Sequence, residues 1–145
     1  SISTAMAKYD EPYWCEMYNN TASSYARTMY DMQGIESDLI NSYAYDTVLV
    51  FIQKFSGYDT FSIGTPYSPS GNPIKTGKAG DVACNIFDMG RSRYCYTTEI
   101  LDTTYNRKPA RGGSEGPYKR IGLSVSGGIS NWAKSVGFRA IFYLK

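Results

Sequence analysis

Apolar positions recur at helical spacing just before the middle of the chain. Leu39, Ile40, Tyr43, Ala44, Thr47, Val48, Phe51, Ile52 and Phe55 fall on one face of a 3.6-residue repeat, the pattern of a helix with one side on a core. The spacing predicts a helix over Ser37–Ser56. Ser37 supplies a side-chain oxygen for an orphan N–H at its start, and Gly57 is the stop signal. A shorter repeat predicts an earlier helix over about Thr21–Met32, with Tyr25, Met29 and Met32 inward and Gly34 ending it.

Beyond Gly57 the period changes. The stretch 58–80 is rich in Ser, Thr, Pro and Gly, and Thr65-Pro66, Ser68-Pro69 and Asn72-Pro73 each drive the chain out of helix. It reads as a long surface loop, because no second hydrophobic core follows it. Cys84-Asn85-Ile86-Phe87-Asp88 is expected to begin a short strand or turn. Tyr94–Glu99 alternates loosely, and Phe138–Leu144 reads as a buried terminal strand. The glycine pairs 112–113 and 127–128 mark tight turns needing positive φ. Helices followed by short irregular strands predict an α+β fold, with one domain spanning 1–145.

Composition narrows the chemistry. The chain of 145 residues contains no histidine, which removes the commonest general base and the commonest metal ligand together. Zinc hydrolases, Ser-His-Asp hydrolases and Cys-His proteases are therefore excluded unless another chain supplies the group. Cys15, Cys84 and Cys95 are too few and too scattered for a disulfide framework, and fit a reducing cytosol. The longest apolar run, Val48–Ile52, is far too short to span a bilayer. No basic and apolar leader follows Ser1, so no signal peptide is expected. The missing initiator Met fits a trimmed chain or the C-terminal module of something longer.

Fourteen tyrosines stand against six phenylalanines. A buried Tyr hydroxyl needs a partner, so a core alone would favour Phe. Tyr is favoured where a ring is half wet, as on paratope-like surfaces; solvated strand faces of an ordinary β-rich domain fit equally. The net charge of +2 hides a division. Residues 1–90 carry five Lys/Arg against ten Asp/Glu, or −5; residues 91–145 carry ten against three, or +7. That excess favours an acidic partner. It lies among turns with no basic helix or nucleic-acid motif, so no nucleic acid is expected.

Three short runs occur in fixed order: Asn85-Ile86-Phe87-Asp88-Met89, Arg111-Gly112-Gly113-Ser114 and Gly137-Phe138-Arg139. With Thr97-Thr98-Glu99, and with Ala44-Tyr45-Asp46 in the long helix, they resemble the formylglycine-generating-enzyme branch of the C-type-lectin fold. The resemblance covers about residues 15–145. It implies two helices packed on short irregular antiparallel strands with long loops. It also implies structural roles for Arg111 and Arg139, paired with Asp88 or Glu99. The departures matter as much. The catalytic members carry a cysteine pair shortly after Arg-Gly-Gly-Ser to hold copper, whereas 115–123 here contains none. Without thiolates a soft metal has no ligands, so the resemblance implies the fold without the enzyme. Asp81, Asp88 and Glu99 are oxygen donors of the kind calcium takes, yet no carboxylate-dense loop holds them. No catalytic residue, cofactor or metal is expected.

A non-catalytic sub-branch of this fold comprises the variable proteins of diversity-generating retroelements, in which adenine-directed mutagenesis rewrites codons near the C-terminal end. The chain resembles these proteins. Two blocks depart most from the family pattern, 91–96 and 115–133. The ligand-binding candidates are Arg91, Ser92, Arg93, Tyr94 and Tyr96 in the first, and Glu115, Pro117, Tyr118, Lys119, Leu123, Ser130, Asn131 and Trp132 in the second. Tyr and Arg are the types that dominate binding energy. The alternative, with Tyr94 and Tyr96 in the core and the arginines in solvent, stays open, as does a core role for Trp132. Gly116-Pro117 would stiffen its loop and lower the ordering cost of binding.

The resemblance implies receptor binding from a phage tail or display on a bacterial surface. The ligand would be an acidic protein or glycan on a cell surface, bound by a hypervariable face, without membrane insertion and with oligomers allowed. An oxidase with a remodelled site, or a structural adhesin or fibre domain, are the other readings. Under the first, the two blocks are expected to converge on one exposed patch, and burial of either against the helices would overturn it.

Overall fold

The computed structural model describes residues 10–11, 17–30, 34–57, 75–77, 82–89, 94–99, 107–112, 120–124 and 136–144. Two helices, α1 (Asn19–Thr28) and α2 (Ser42–Ser56), alternate with β1 (Ile35–Leu39) and precede seven strands. These are β2 (Val82–Ala83), β3 (Ile86–Phe87), β4 (Tyr94–Tyr96), β5 (Arg107–Arg111), β6 (Arg120–Ser124), β7 (Val136–Phe138) and β8 (Ala140–Leu144). The α+β expectation holds at this level. Among the described residues no helix is long and apolar enough to cross a membrane.

The long helix starts later than its periodicity predicts. Residues Ile35–Leu39 are strand, paired antiparallel with β8 so that Ser37 faces Phe142 and Leu39 faces Ala140. Ser37 is buried and donates its hydroxyl to the Ala26 carbonyl (2.6 Å), tying β1 to α1. The cap is Asn41, whose side chain accepts from the Ala44 N–H at 2.7 Å. The predicted stop is observed: Gly57 closes α2 in the left-handed region at φ 71°.

The inward face of α2 also differs from the expectation. Ser42, Tyr45, Leu49 and Ile52 are buried and Ala44 and Val48 half-buried, while Tyr43, Thr47, Phe51 and Phe55 are exposed. The helix is apolar on most of its circumference, so periodicity alone admits more than one inward face. Polar anchoring selects among them: the Tyr45 hydroxyl donates to the Met89 carbonyl at 2.8 Å, which turns that side inward.

The earlier helix is shorter than predicted and shifted toward the N-terminus. Ala22, Ala26 and the following Met29 are buried, Tyr25 is half-buried, and Gly34 lies beyond the end at φ 80°. Met32 lies outside the described residues, as do 58–74 and 78–80 of the expected loop.

Two apolar clusters lie on either side of the β1–β8 ribbon. The first joins Ala22 and Ala26 of α1 to Met17, Leu39, Tyr94, Tyr96, Ala110 and Val136. The second joins Tyr45, Leu49 and Ile52 of α2 to Ile40, Ala83 and Met89. Leu39 and Ala140 serve the first cluster, Ile40 and Ile141 the second, as strand alternation requires. The predicted terminal strand Phe138–Leu144 is divided at Arg139: Phe138 ends β7 in the four-stranded sheet, and Ala140–Leu144 is β8, paired with β1. Its burial also differs from the expectation: Phe142 and Tyr143 are exposed and Leu144 is 90% exposed. The clusters reach Ala140 and Ile141 only, and the last three residues of the strand run past both into water.

The four-stranded sheet has the order β6-β5-β4-β7. Its pairs are antiparallel except β4–β7, which is parallel and departs from the all-antiparallel expectation. The predicted turn at Cys84 is a two-residue hairpin between β2 and β3, with φ 52° at Cys84 and 60° at Asn85. Two successive positive φ values give the turn twist that suits a tight hairpin.

Candidate functional site

The family-like runs meet in a polar frame around the start of α2. Arg111, buried in β5, is ion-paired with Asp46 of α2, and its guanidinium carbon stands 4.8 Å from the centroid of the Tyr45 ring. Arg139 donates to the carbonyls of Asp88 and Phe87 and, through its own carbonyl, accepts from the Ile40 N–H at 2.9 Å. A structural role for both arginines is thus observed, but with different partners. Arg111 takes Asp46 rather than Asp88 or Glu99, and Arg139 takes the backbone of Asp88 rather than its carboxylate.

Asp88 and Glu99 instead serve backbone amides. Asp88 Oδ2 accepts from the Gly77 N–H at 2.7 Å. Glu99 Oε1 accepts from the Ser42 N–H in the first turn of α2, where a carboxylate complements the positive helix end. Burial alone would raise the Glu99 carboxyl, but hydrogen bonding at Thr97 and at the Ser42 backbone outweighs it and holds the pKa below 4.5. Thr97 is fully buried. Its hydroxyl and N–H donate to the Pro109 carbonyl (3.0 and 3.2 Å), and its own carbonyl accepts from Asn19 Nδ2 at 3.3 Å. Asp81 lies outside the described residues, and among those described no three acidic, Cys or His side chains gather as a metal site.

Sequence reasoning missed Asp46, Ser42 and Thr97 as parts of this frame. The signal was available in part, since Ala44-Tyr45-Asp46 and Thr97-Thr98-Glu99 are both family-like runs.

The first candidate block divides. Tyr94 and Tyr96 are 3% and 2% exposed, packed with Ala22 and Ala26 of α1, and Cys95 between them is buried as well. Burial, and then the neighbouring Tyr18, raise the Tyr96 hydroxyl pKa. Tyr94 and Tyr96 are therefore core residues and not ligand contacts, which counts against the first block as a surface. Arg91, Ser92 and Arg93 lie outside the described residues, as do Glu115, Pro117, Tyr118, Lys119, Ser130, Asn131 and Trp132. Leu123 lies in β6, in register with Lys108.

The register of the sheet relates the flanks of these segments. Tyr94 pairs with Val136, Cys95 with Arg111, and Arg111 with Arg120. Hence the beginning of β4, the end of β5, the beginning of β6 and the beginning of β7 all lie at one end of the sheet. Tyr94, Gly112, Arg120 and Val136 are the described residues that flank 91–93, 113–119 and 125–135 there. Ser124, on the other flank of 125–135, lies at the opposite end in register with Arg107.

The chain matches no family model, no curated protein and no solved structure.

Proposed function

We propose that this chain is a non-catalytic ligand-binding module on a C-type-lectin-like frame, diversified by a retroelement at one end of its four-stranded sheet. The observation that carries the reading is the shared sheet end of Tyr94, Gly112, Arg120 and Val136. Described residues that flank parts of both departing blocks, 91–96 and 115–133, are thereby brought to one sheet end. The frame supports the reading from the other side. Arg111, Arg139, Asp88, Glu99 and Tyr45 are engaged with one another's elements, so the family-like runs act as scaffold. Segments that connect the strands of a packed scaffold tolerate sequence change better than the strands themselves. The contact residues of the first block are Arg91, Ser92 and Arg93, with Tyr94 and Tyr96 assigned to the scaffold. The carrier is a phage tail or a bacterial surface.

Sequencing sibling copies of the gene tests this. Substitutions should concentrate in 91–93 and 115–133 while Tyr94 and Tyr96 stay large and apolar, and a reverse transcriptase gene with a near-copy template repeat should lie nearby. Substitutions spread evenly along the chain, or charged residues accepted at 94 and 96, would sink the reading.

A further inference from the structure

We infer that the outward face of α2 pairs with the same face of a second copy of this chain, the two helices running antiparallel about a two-fold axis beside Val50. Four of the eight large apolar side chains left exposed among the described residues, Tyr43, Val50, Phe51 and Phe55, belong to this one helix. At about 100° per residue they fall, with Thr47 and Lys54, on the side opposite Tyr45, Leu49 and Ile52, which fill the second cluster. A helix that is apolar on both sides is one that is covered on both sides. The exposed rings of β8, Phe142 and Tyr143, are successive strand residues and point to opposite faces, so they make no comparable surface.

Charge indicates what covers the helix. Asp46 and Lys54 are the only charged residues of α2, and Val50 lies four residues from each. A two-fold axis at Val50 therefore sets each Lys54 opposite the partner's Asp46, whereas parallel pairing sets like charges side by side. Oppositely directed helices also place each positive end beside the negative end of the other. The Asp46 carboxylate serves Arg111, yet its side chain is still 43% exposed and can meet a second cation. This is the self-complementarity that a two-fold contact requires; an unrelated partner would need no charge symmetry about Val50.

The area suffices for a reversible dimer. The four side chains are 80, 63, 43 and 69% exposed, which leaves on the order of 500 Å² of apolar surface per copy. Two copies together bring roughly 1,000 Å², the size at which a specific interface begins. Affinity at that lower limit is expected to be of roughly micromolar order. Nothing in this depends on what the sheet end binds.

Sedimentation equilibrium of the intact chain over a concentration series tests the pairing, and a monomer–dimer equilibrium is expected. Val50→Lys, which sets two cations against each other at the axis, should weaken dimerisation at least roughly tenfold. Lys is a better helix former than Val at an exposed site, so circular dichroism and the melting temperature of the dilute variant should be unaltered. Lys54→Glu should weaken the dimer in the same direction, and by less at high salt. Val50→Cys, combined with Cys15→Ser and Cys84→Ser, should cross-link to itself under copper–phenanthroline oxidation. Tyr43→Cys on the same background should not, because antiparallel pairing holds the two positions roughly 20 Å apart. A chain that stays monomeric throughout would overturn the inference: lowered stability of Val50→Lys then means that the chain itself covers the face, and unchanged stability leaves the face to a different protein. A dimer broken by Phe142→Lys but not by Val50→Lys, or equal cross-linking at positions 43 and 50, would overturn it as well.

Discussion

Arg111 and Asp46 form an ion pair that joins the middle of the four-stranded sheet to the first turns of α2. The two ends differ: the arginine side chain is 2% exposed and the aspartate 43%. Removing the acid takes a carboxylate partner from a buried guanidinium that stands over the Tyr45 ring. Asp46→Ala is expected to cost about 3 kcal/mol, the lower end for a broken buried pair because Asp46 is partly hydrated. Arg111→Met, which removes the buried charge itself, should cost less. Urea midpoints at constant slope compare the two variants.

Tyr96 separates a core role from a binding role. As a ring packed against α1, its truncation to Ala should destabilise by about 3–5 kcal/mol. Ligand affinity per folded molecule should not change. Denaturation and titration on the same preparation give both quantities, and an affinity loss at unchanged stability would reassign Tyr96 to the binding surface.

The orientation of α2 gives a paired expectation. Leu49 is buried in the second cluster, whereas Phe55 is exposed and touches Phe51 on the outer face, ring centroids 4.8 Å apart. Leu49→Ala should cost about 2–5 kcal/mol and Phe55→Ala no more than about 0.5 kcal/mol. The reverse order in thermal melts would mean that the helix is turned as its periodicity first predicts.

Glu99 links stability to pH. Its folded pKa lies below the ordinary 4.5, so its contribution is fully present above that value and is lost as pH falls through the folded pKa. Glu99→Gln keeps an acceptor for the Ser42 N–H but removes the charge at the helix end, an effect of about 0.3–1 kcal/mol. The wild-type advantage should therefore be present near neutral pH and vanish in acid. A gap of constant size across the acid range would assign the effect to packing.

The sequence carried local information well and long-range information poorly. Gly57 marks the end of α2 in the chain and in space, because a left-handed residue is a local requirement. Ser37 is the cap that the sequence suggests and Asn41 the one observed, and what decides between them is the pairing of Ile35–Leu39 with Ala140–Leu144, a hundred residues away. Arg111 was legible as structural, but Asp46 as its partner was not, since a carboxylate in a helix carries no mark of what it faces. Tyr94 and Tyr96 were ambiguous because the same ring serves a core and a contact surface. At the site, the positions of the unusual segments along the chain were readable. That Tyr94, Gly112, Arg120 and Val136, which flank them, share a sheet end emerges only from the register of β4, β5, β6 and β7.

The antiparallel closure of β1 by β8 sets an order of events in biosynthesis. The closing strand is translated after every other described residue, and contacts of such sequence separation form late and slowly. A truncation or frameshift that removes Ala140–Leu144 takes away the partner of Ile35–Leu39. An intact reading frame is thereby inspected by folding itself, because a copy cut short has no strand with which to close its ribbon.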